Sequence, residues 1–320
     1  MTVAGVAGAV VQAAGVAVGA PGLVGAMRQV RARMEGRAGA GVAQPYRDLR
    51  KLLGKQSVTP EDTTAVFAAA PAVIAGATLV IAATVPLVTT ASPFDGAADL
   101  FAVVGLLLIG TVALVLAGLD TGTPFGGMGA SRETTIAALV EPTVLLAVFA
   151  LSIPVGSSNL AVIVADTVRR PAHVLSPAGA LAFAALVVVI IAETGRLPVD
   201  NPATHLELTM VHEAMVLEYS GPKLAVIEWG AAMRLTVLLG LLVNLFVPLG
   251  VAGGHAGPVG IALGVGAVWV KVTVAATALA IGEVYLAKIR LFRVPELLAG
   301  SFLLGLLAVT ASYFLGSPTA

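Results

Sequence analysis

The sequence contains no cysteine. It therefore forms no disulfide and offers no thiolate to zinc or to an iron–sulfur cluster, so any redox centre associated with it has to be held by a partner. Charge is scarce too: 11% of residues are Asp, Glu, Lys or Arg, and 5% are aromatic. The short alternating segments that build a membrane β-barrel are missing. No internal repeat, low-complexity tail or linker divides the chain, which reads as a single membrane domain over residues 1–320.

Apolar length is what the chain has in abundance. Hydrophobic residues make up 58% and the mean hydropathy is +0.98, far above a soluble domain. Apolar runs of at least about 18 residues recur, each able to cross about 30 Å of hydrocarbon. The pattern predicts an all-α polytopic membrane protein with about eight transmembrane helices, near 3–26, 65–90, 100–119, 135–155, 177–193, 232–252, 258–282 and 296–316. No basic stretch precedes Val3–Ala26, so this run is expected to span and not to be a cleaved signal. The many glycines and alanines suit close helix packing in lipid.

Bases set the orientation. The loops 27–64, 120–134, 193–232 and 283–295 carry eight, one, three (counting Arg234 at the edge of the sixth span) and three Lys or Arg, against none, two (Arg169 and Arg170) and none in the intervening loops. The basic loops are expected in the cytoplasm, with both termini on the other side of the cell (plasma or inner) membrane. Within the first, Gln44–Leu53 places Leu49, Leu52 and Leu53 on one side of a short interfacial amphipathic helix. Arg31, Arg33, Arg37, Arg47 and Arg50 around it suit either anionic lipid or a docked soluble partner.

Ionisable groups inside a bilayer are costly unless paired, hydrated or neutralised. Glu141 lies near the start of the fourth span and Lys271 deep in the seventh, with Asn244 in the sixth. Glu193, Glu283 and Asp120 close spans at the cytoplasmic side. These positions suit either buried ion pairs or a polar path through the bundle.

One stretch gathers most of this chemistry. Glu193–Arg234 holds six acids, two histidines and three bases. Pro198 and Pro202 interrupt it, and beyond Pro202 the pattern predicts a helix of about four turns ending near Ser220-Gly221-Pro222. On such a helix Glu207 and Glu218 share a face, as do His205 and His212, with Leu206, Met210 and Leu217 opposite. His212-Glu213 begins like a zinc-protease motif, but position 216 is Val, and no metal site is expected. Gly126-Gly127-Met128-Gly129 lacks the Lys-Ser/Thr of a phosphate loop. A long helical cytoplasmic loop lining a hydrated cavity fits best, its acids titrating as a group.

The stretch ETGRLPVDNPATHLELTMVHEAMVLEYSG resembles the cytoplasmic loop of the family that joins complex I subunit 1 to the membrane subunits of group 4 nickel-iron hydrogenases. Glu193, Arg196, Pro198 and Asp200 match the start of that loop, and Glu218, Tyr219, Ser220 and Gly221 its end. Residues 28–58, 120–142 and 271–293 are similar to other segments of the family, with Glu141 on its intramembrane glutamate. Val199 in place of Phe, the longer loop and the LELTMVHEAM insert are similar to the formate hydrogenlyase subunit 4 type. The resemblance implies a membrane anchor and coupling subunit of a hydrogenase complex, without a redox cofactor of its own. It implies as partners hydrogenase large and small subunits and an iron–sulfur subunit, holding iron–sulfur clusters and a nickel-iron centre, and antiporter-like membrane subunits that move protons or sodium. The implied coupling path comprises Glu141, Glu193, Asp200, Glu207, Glu213, Glu218, Lys271 and Glu283, with Arg196, His205, His212 and Tyr219 lining the loop cavity. The alternative within the family is the quinone-site subunit of a NADH-quinone oxidoreductase. A free-standing ion transporter would more often show duplicated halves. Nothing points to nucleic acid.

Overall fold

The computed structural model describes residues 3–92, 94–200, 210–253 and 257–315. The chain is helical: α1 (Val3–Met34), α2 (Gln44–Leu53), α3 (Ala65–Thr84), α4 (Leu100–Asp120), α5 (Pro124–Ser152), α6 (Leu160–Arg169), α7 (Pro177–Glu193), α8 (His212–Val216), α9 (Gly221–Phe246), α10 (Pro258–Tyr285) and α11 (Val294–Leu315). Seven of these are long and apolar enough to cross a membrane, and α7 is a shorter apolar helix of 17 residues. The all-α polytopic fold is therefore as expected, with α2 as the short amphipathic helix.

Helix starts follow local chemistry. Thr123 and Ser176 accept hydrogen bonds from Gly126 N and Gly179 N at 3.2 and 3.1 Å, and Pro follows each cap at the first turn, where its missing N–H costs nothing. Asp120, at the end of α4, accepts from Thr64 N (2.8 Å), Thr64 Oγ1 (2.9 Å) and Phe67 N (3.2 Å). Its charge sits at the positive N-terminal end of α3, so Asp120 is spoken for structurally.

Several boundaries depart from the sequence reading. α1 runs on to Met34, so Arg28, Arg31 and Arg33 extend from a helix and not a loop. α5 starts at Pro124, which turns most of the expected 120–134 loop into helix. α9 starts at Gly221, eleven residues before the expected span, and carries Glu228 and Arg234 inside it. Arg234 thus leaves the count of cytoplasmic loop bases. α6 was not foreseen; Asn159 caps it through Ala161 N at 2.9 Å.

α3 stops at Thr84, and Val85–Val88 are buried without being helical. Backbone like this survives at membrane depth only where protein satisfies it. Gln12 donates to Ala82 O and Val85 O (both 2.6 Å) and accepts from Val88 N (2.8 Å). Asn244 donates to Pro86 O and Leu87 O at 2.8 and 2.6 Å. Two prolines inside helices free carbonyls four residues earlier, and aromatic donors take them up. Trp229 Nε1 donates to Ala17 O (2.7 Å), freed by Pro21, and Tyr219 OH donates to Phe67 O (2.8 Å), freed by Pro71.

The core joins α5, α7 and α11 on one side to α1, α3 and α9 on the other, with α4 between α3 and α5 and α10 outside α1. The described loop residues, 194–200 and 210–220, lie across one end of this bundle.

Candidate functional site: a chain of polar chambers under the loop

The expected four-turn helix after Pro202 does not form as a unit. His205, Leu206 and Glu207 lie outside the described residues. Of 210–220 only α8, five residues, is helical. Tertiary bonds hold the rest of this backbone in another shape: Arg132 Nη1 donates to Met210 O (2.6 Å), and Tyr219 is fixed to α3. Met210 is buried but Leu217 is exposed, so the two do not share an apolar face.

α8 rests on glycine. A Cβ at Gly129 would lie 2.8 Å from Met215 Cγ, and one at Gly118 would lie 3.0 Å from the same atom. Either is closer than ordinary van der Waals contact, so α8 seats directly on the α4 and α5 backbones. The loop closes at Ser220, whose hydroxyl accepts from Val58 N (2.8 Å) and donates to Val58 O (3.0 Å). Gly221 follows at φ +55°, with Gln56 O 2.7 Å from where a Cβ would stand, so only glycine fits there. Tyr219 stacks on Phe67, ring centroids 3.9 Å apart. Burial pushes its phenol above the ordinary range, and the Asp120 charge adds to this. Tyr219 is a structural pin.

Three cavities open beneath this seat. The outermost, about 510 Å³, is lined by Arg28, Arg31, Arg37, Arg196, Glu213 and Glu283. A second, about 200 Å³, shares Arg28, Arg196 and Glu213 with it and adds Asp48, His212 and Glu228 between α1, α2 and α9. The innermost, about 10 Å³, shares His212 and adds Glu133, Glu193 and Asp200. Neighbouring cavities thus share wall residues.

Ion pairs fix the walls. Glu283 on α10 accepts from Arg196 Nη1 at 2.9 Å and faces Arg31 Nη1 at 3.7 Å. Lys288 pairs with Asp200 at 2.6 Å, and Ile289 N donates to Pro198 O at 3.0 Å, tying the loop's start to the segment after α10. Arg234 pairs with Glu193 and donates to Thr111 Oγ1 (2.7 Å) and Leu107 O (3.1 Å) on α4. Glu141 is 8% exposed, and neither carboxylate oxygen has a hydrogen-bond partner among the described residues.

The structure thus brings together Glu193, Asp200, Glu213, Glu283, Arg196, His212, Arg31 and Arg37, with Glu141 beyond the innermost cavity. Glu218 is half-buried and lines none of the three cavities; Arg33, Arg47 and Arg50 are exposed. Lys271 does not pair with Glu141: it donates to Asn244 Oδ1 (2.6 Å) and Val247 O (3.1 Å). Sequence reasoning missed Glu133, Glu228, Arg28 and Asp48, and passed over Arg234. Glu228 and Arg234 sit in an otherwise apolar helix, a signal hidden by setting its start too late. Among the described residues no cluster of His, Asp and Glu could hold a metal ion.

Residues 7–313 match the model of the NADH dehydrogenase family. The chain belongs to this family. Among its relatives are two from Escherichia coli K12: hydrogenase-4 component C, 38% identical over 72% of this chain and 71% of the relative, and formate hydrogenlyase subunit 4, 36% identical over 88% and 91%. NADH-quinone oxidoreductase subunit 8 of Rhodothermus marinus is 28% identical over 65% of this chain and 61% of its own length. A chain of the membrane-bound sulfane sulfur reductase, an archaeal respiratory membrane complex, superposes with a TM-score of 0.82 over 96% of this chain and 98% of that one, at 20% identity. The family's hydrogenase and complex I branches are both represented, as the loop motifs imply.

Proposed function

We propose that this NADH dehydrogenase family member is the membrane anchor and coupling subunit of a group 4 nickel-iron hydrogenase complex of the formate hydrogenlyase type. It links electron transfer in a docked soluble arm to proton or sodium movement through antiporter-like neighbours. The arm, with its large, small and iron–sulfur subunits, sits over the loop, where Arg31, Arg37 and the α2 bases face it. That face is cytoplasmic, and both termini lie on the other side.

The observation that supports this reading is the set of three cavities with shared wall residues between Arg31 and Glu283 at one end and Glu193 at the other, together with a buried Glu141 that has no hydrogen-bond partner among the described residues. Carboxylates a few ångströms apart in a medium of intermediate dielectric interact by about a few kcal/mol, enough to move each other's protonation. A charge change at the loop is thereby handed inward, acid to acid.

Glu141→Gln in the intact complex tests it. Ion movement per electron pair should fall at least about tenfold; unchanged movement at unchanged turnover sinks the path. The complex I alternative is separated by what co-purifies: a nickel-containing large subunit supports the hydrogenase, and NADH-oxidising subunits support complex I.

A further inference from the structure

A further cavity lies at the end of the bundle away from the loop, and the coupling path makes no use of it. It holds about 560 Å³ between the segment before α4, the turn after α5 and α6, within the usual range of small-ligand sites, about 300–1,000 Å³. Its charged wall residues are Asp95, Asp166, Arg169 and Arg170. Val162, Ala165, Asp166 and Arg169 recur along α6 at helical spacing, so one side of that helix lines the cavity. The other side, with Leu160, Ile163, Val164 and Thr167, is buried in the protein. Backbone bonds brace the walls. Leu160 N donates to Ala98 O (2.8 Å) and Leu100 N to Ser158 O (3.1 Å), while Asn159 caps α6 and its amide donates to Asp95 O.

Two carboxylates and two guanidiniums leave the cavity neutral, yet they are not all spent on one another. Asp166 accepts from His173 Nδ1 (2.8 Å), with Arg170 Nε 4.0 Å away. Arg169 makes no ion pair among the described residues, and both arginines are exposed. Asp95 Oδ1 is buried and has no hydrogen-bond partner among the described residues. The two arginines are also the only bases in the segments 85–99, 153–176 and 247–257 that join helices at this end, the end where a membrane protein ordinarily carries few. Near them in sequence Val168 and Leu175 stand exposed, as does Phe101 at the start of α4, and such apolar side chains suit acyl chains better than water. A ligand matching this place has an anion for the arginine forks, a hydrogen-bonding cation for Asp95 and an apolar tail. We propose that the cavity binds the phosphoethanolamine head of a phospholipid, with the phosphodiester on Arg169 and Arg170 and the primary ammonium on Asp95. Arginine forks match phosphate oxygens two at a time. The ammonium brings three N–H donors to the bare Oδ1. A choline head brings the charge without a donor, and a glycerol head brings hydroxyls without the charge. Either leaves the Asp95 carboxylate incompletely compensated, which is costly away from water.

Native mass spectrometry of the delipidated complex in detergent tests this, by titration with phosphatidylethanolamine, phosphatidylcholine or phosphatidylglycerol of identical acyl chains. Phosphatidylethanolamine should fill one saturable site about tenfold or more tightly than either of the others. Asp95→Asn should bring the three lipids within about threefold of one another, and the double variant Arg169→Gln/Arg170→Gln should weaken phosphatidylethanolamine about tenfold or more. Millimolar inorganic phosphate should leave the bound lipid in place. Equal affinity of the unmodified complex for phosphatidylethanolamine and phosphatidylglycerol overturns the proposal, and so does unsaturable uptake of all three lipids. An undiminished amine preference in Asp95→Asn, or full binding in the double arginine variant, overturns it as well. Displacement by inorganic phosphate would make this a site for a soluble phosphate compound and rule out the lipid. Should the variants fail to assemble, the order of the three lipids on the unmodified complex decides. None of these outcomes bears on the acids under the loop, so the lipid site and the coupling path fail separately.

Discussion

Pro71 leaves the Phe67 carbonyl without its helical donor, and the Tyr219 hydroxyl fills the gap at 2.8 Å. This arrangement makes a sharp prediction about a phenylalanine at 219. Tyr219→Phe keeps the ring stacked 3.9 Å from Phe67 and removes one atom. What remains is a buried carbonyl with no donor, which costs about 1–3 kcal/mol. In a Pro71→Ala background the alanine N–H can bond Phe67 O itself, so the same tyrosine substitution should cost under about 1 kcal/mol there. The double-mutant cycle should then show about 1–2 kcal/mol of coupling between positions 71 and 219. Unfolding in mixed micelles, followed by helical circular dichroism at fixed temperature, measures all four corners. Equal losses in the two backgrounds would refute the idea that the tyrosine repairs a proline-made defect.

The same logic at the other repaired site predicts that Trp229→Phe costs about 1–3 kcal/mol, with the cost shrinking in Pro21→Ala, by the same unfolding assay. Glu283→Ala strands the half-buried Arg196 guanidinium and should cost about 2–4 kcal/mol, whereas Glu283→Gln, which keeps an oxygen acceptor, should cost roughly half as much; thermal melts of the purified complex compare them. Asn244→Ala uncovers the Pro86 and Leu87 carbonyls and removes a Lys271 acceptor. It should lower stability by about 1–3 kcal/mol and speed amide exchange at Val85–Val88. Burial pushes the Asp95 carboxyl above its ordinary 3.8, against a smaller lowering from Ser92. A raised acid loses stability as pH climbs from that ordinary value through the folded one, because the unfolded chain ionises first. Asp95→Asn should therefore raise the melting temperature at pH 7 and flatten its fall above about pH 4, as melts across pH would show.

Much of the fold was legible because bilayer thickness forces long apolar runs and because Thr, Ser and Pro mark helix starts. Boundaries failed where charge was read as loop. Arg28, Arg31 and Arg33 ride on α1, and Glu228 and Arg234 on α9, because neighbouring helices supply the polar partners that the sequence alone cannot display. The loop failed in a different way. Pro202 and the Ser220-Gly221-Pro222 stop favoured a helix between them, but Arg132 of α5 claims the Met210 carbonyl and Tyr219 is drawn to Phe67 O of α3, partners far away in sequence. The acids Glu193, Asp200, Glu213 and Glu283 do gather. Glu218 does not reach the cavities, and Lys271 turns to Asn244, since spacing along a chain says nothing about which neighbour lies closest.

Under α8, Gly118 and Gly129 present bare backbone to Met215. The height of His212 and Glu213 above the membrane helices is thus decided by two residues with no side chain. An added methyl there would push on Met215 and lift both ionisable groups together without altering a single charge. Variation at these two positions would shift the seat of α8 while every acid and base stays in place.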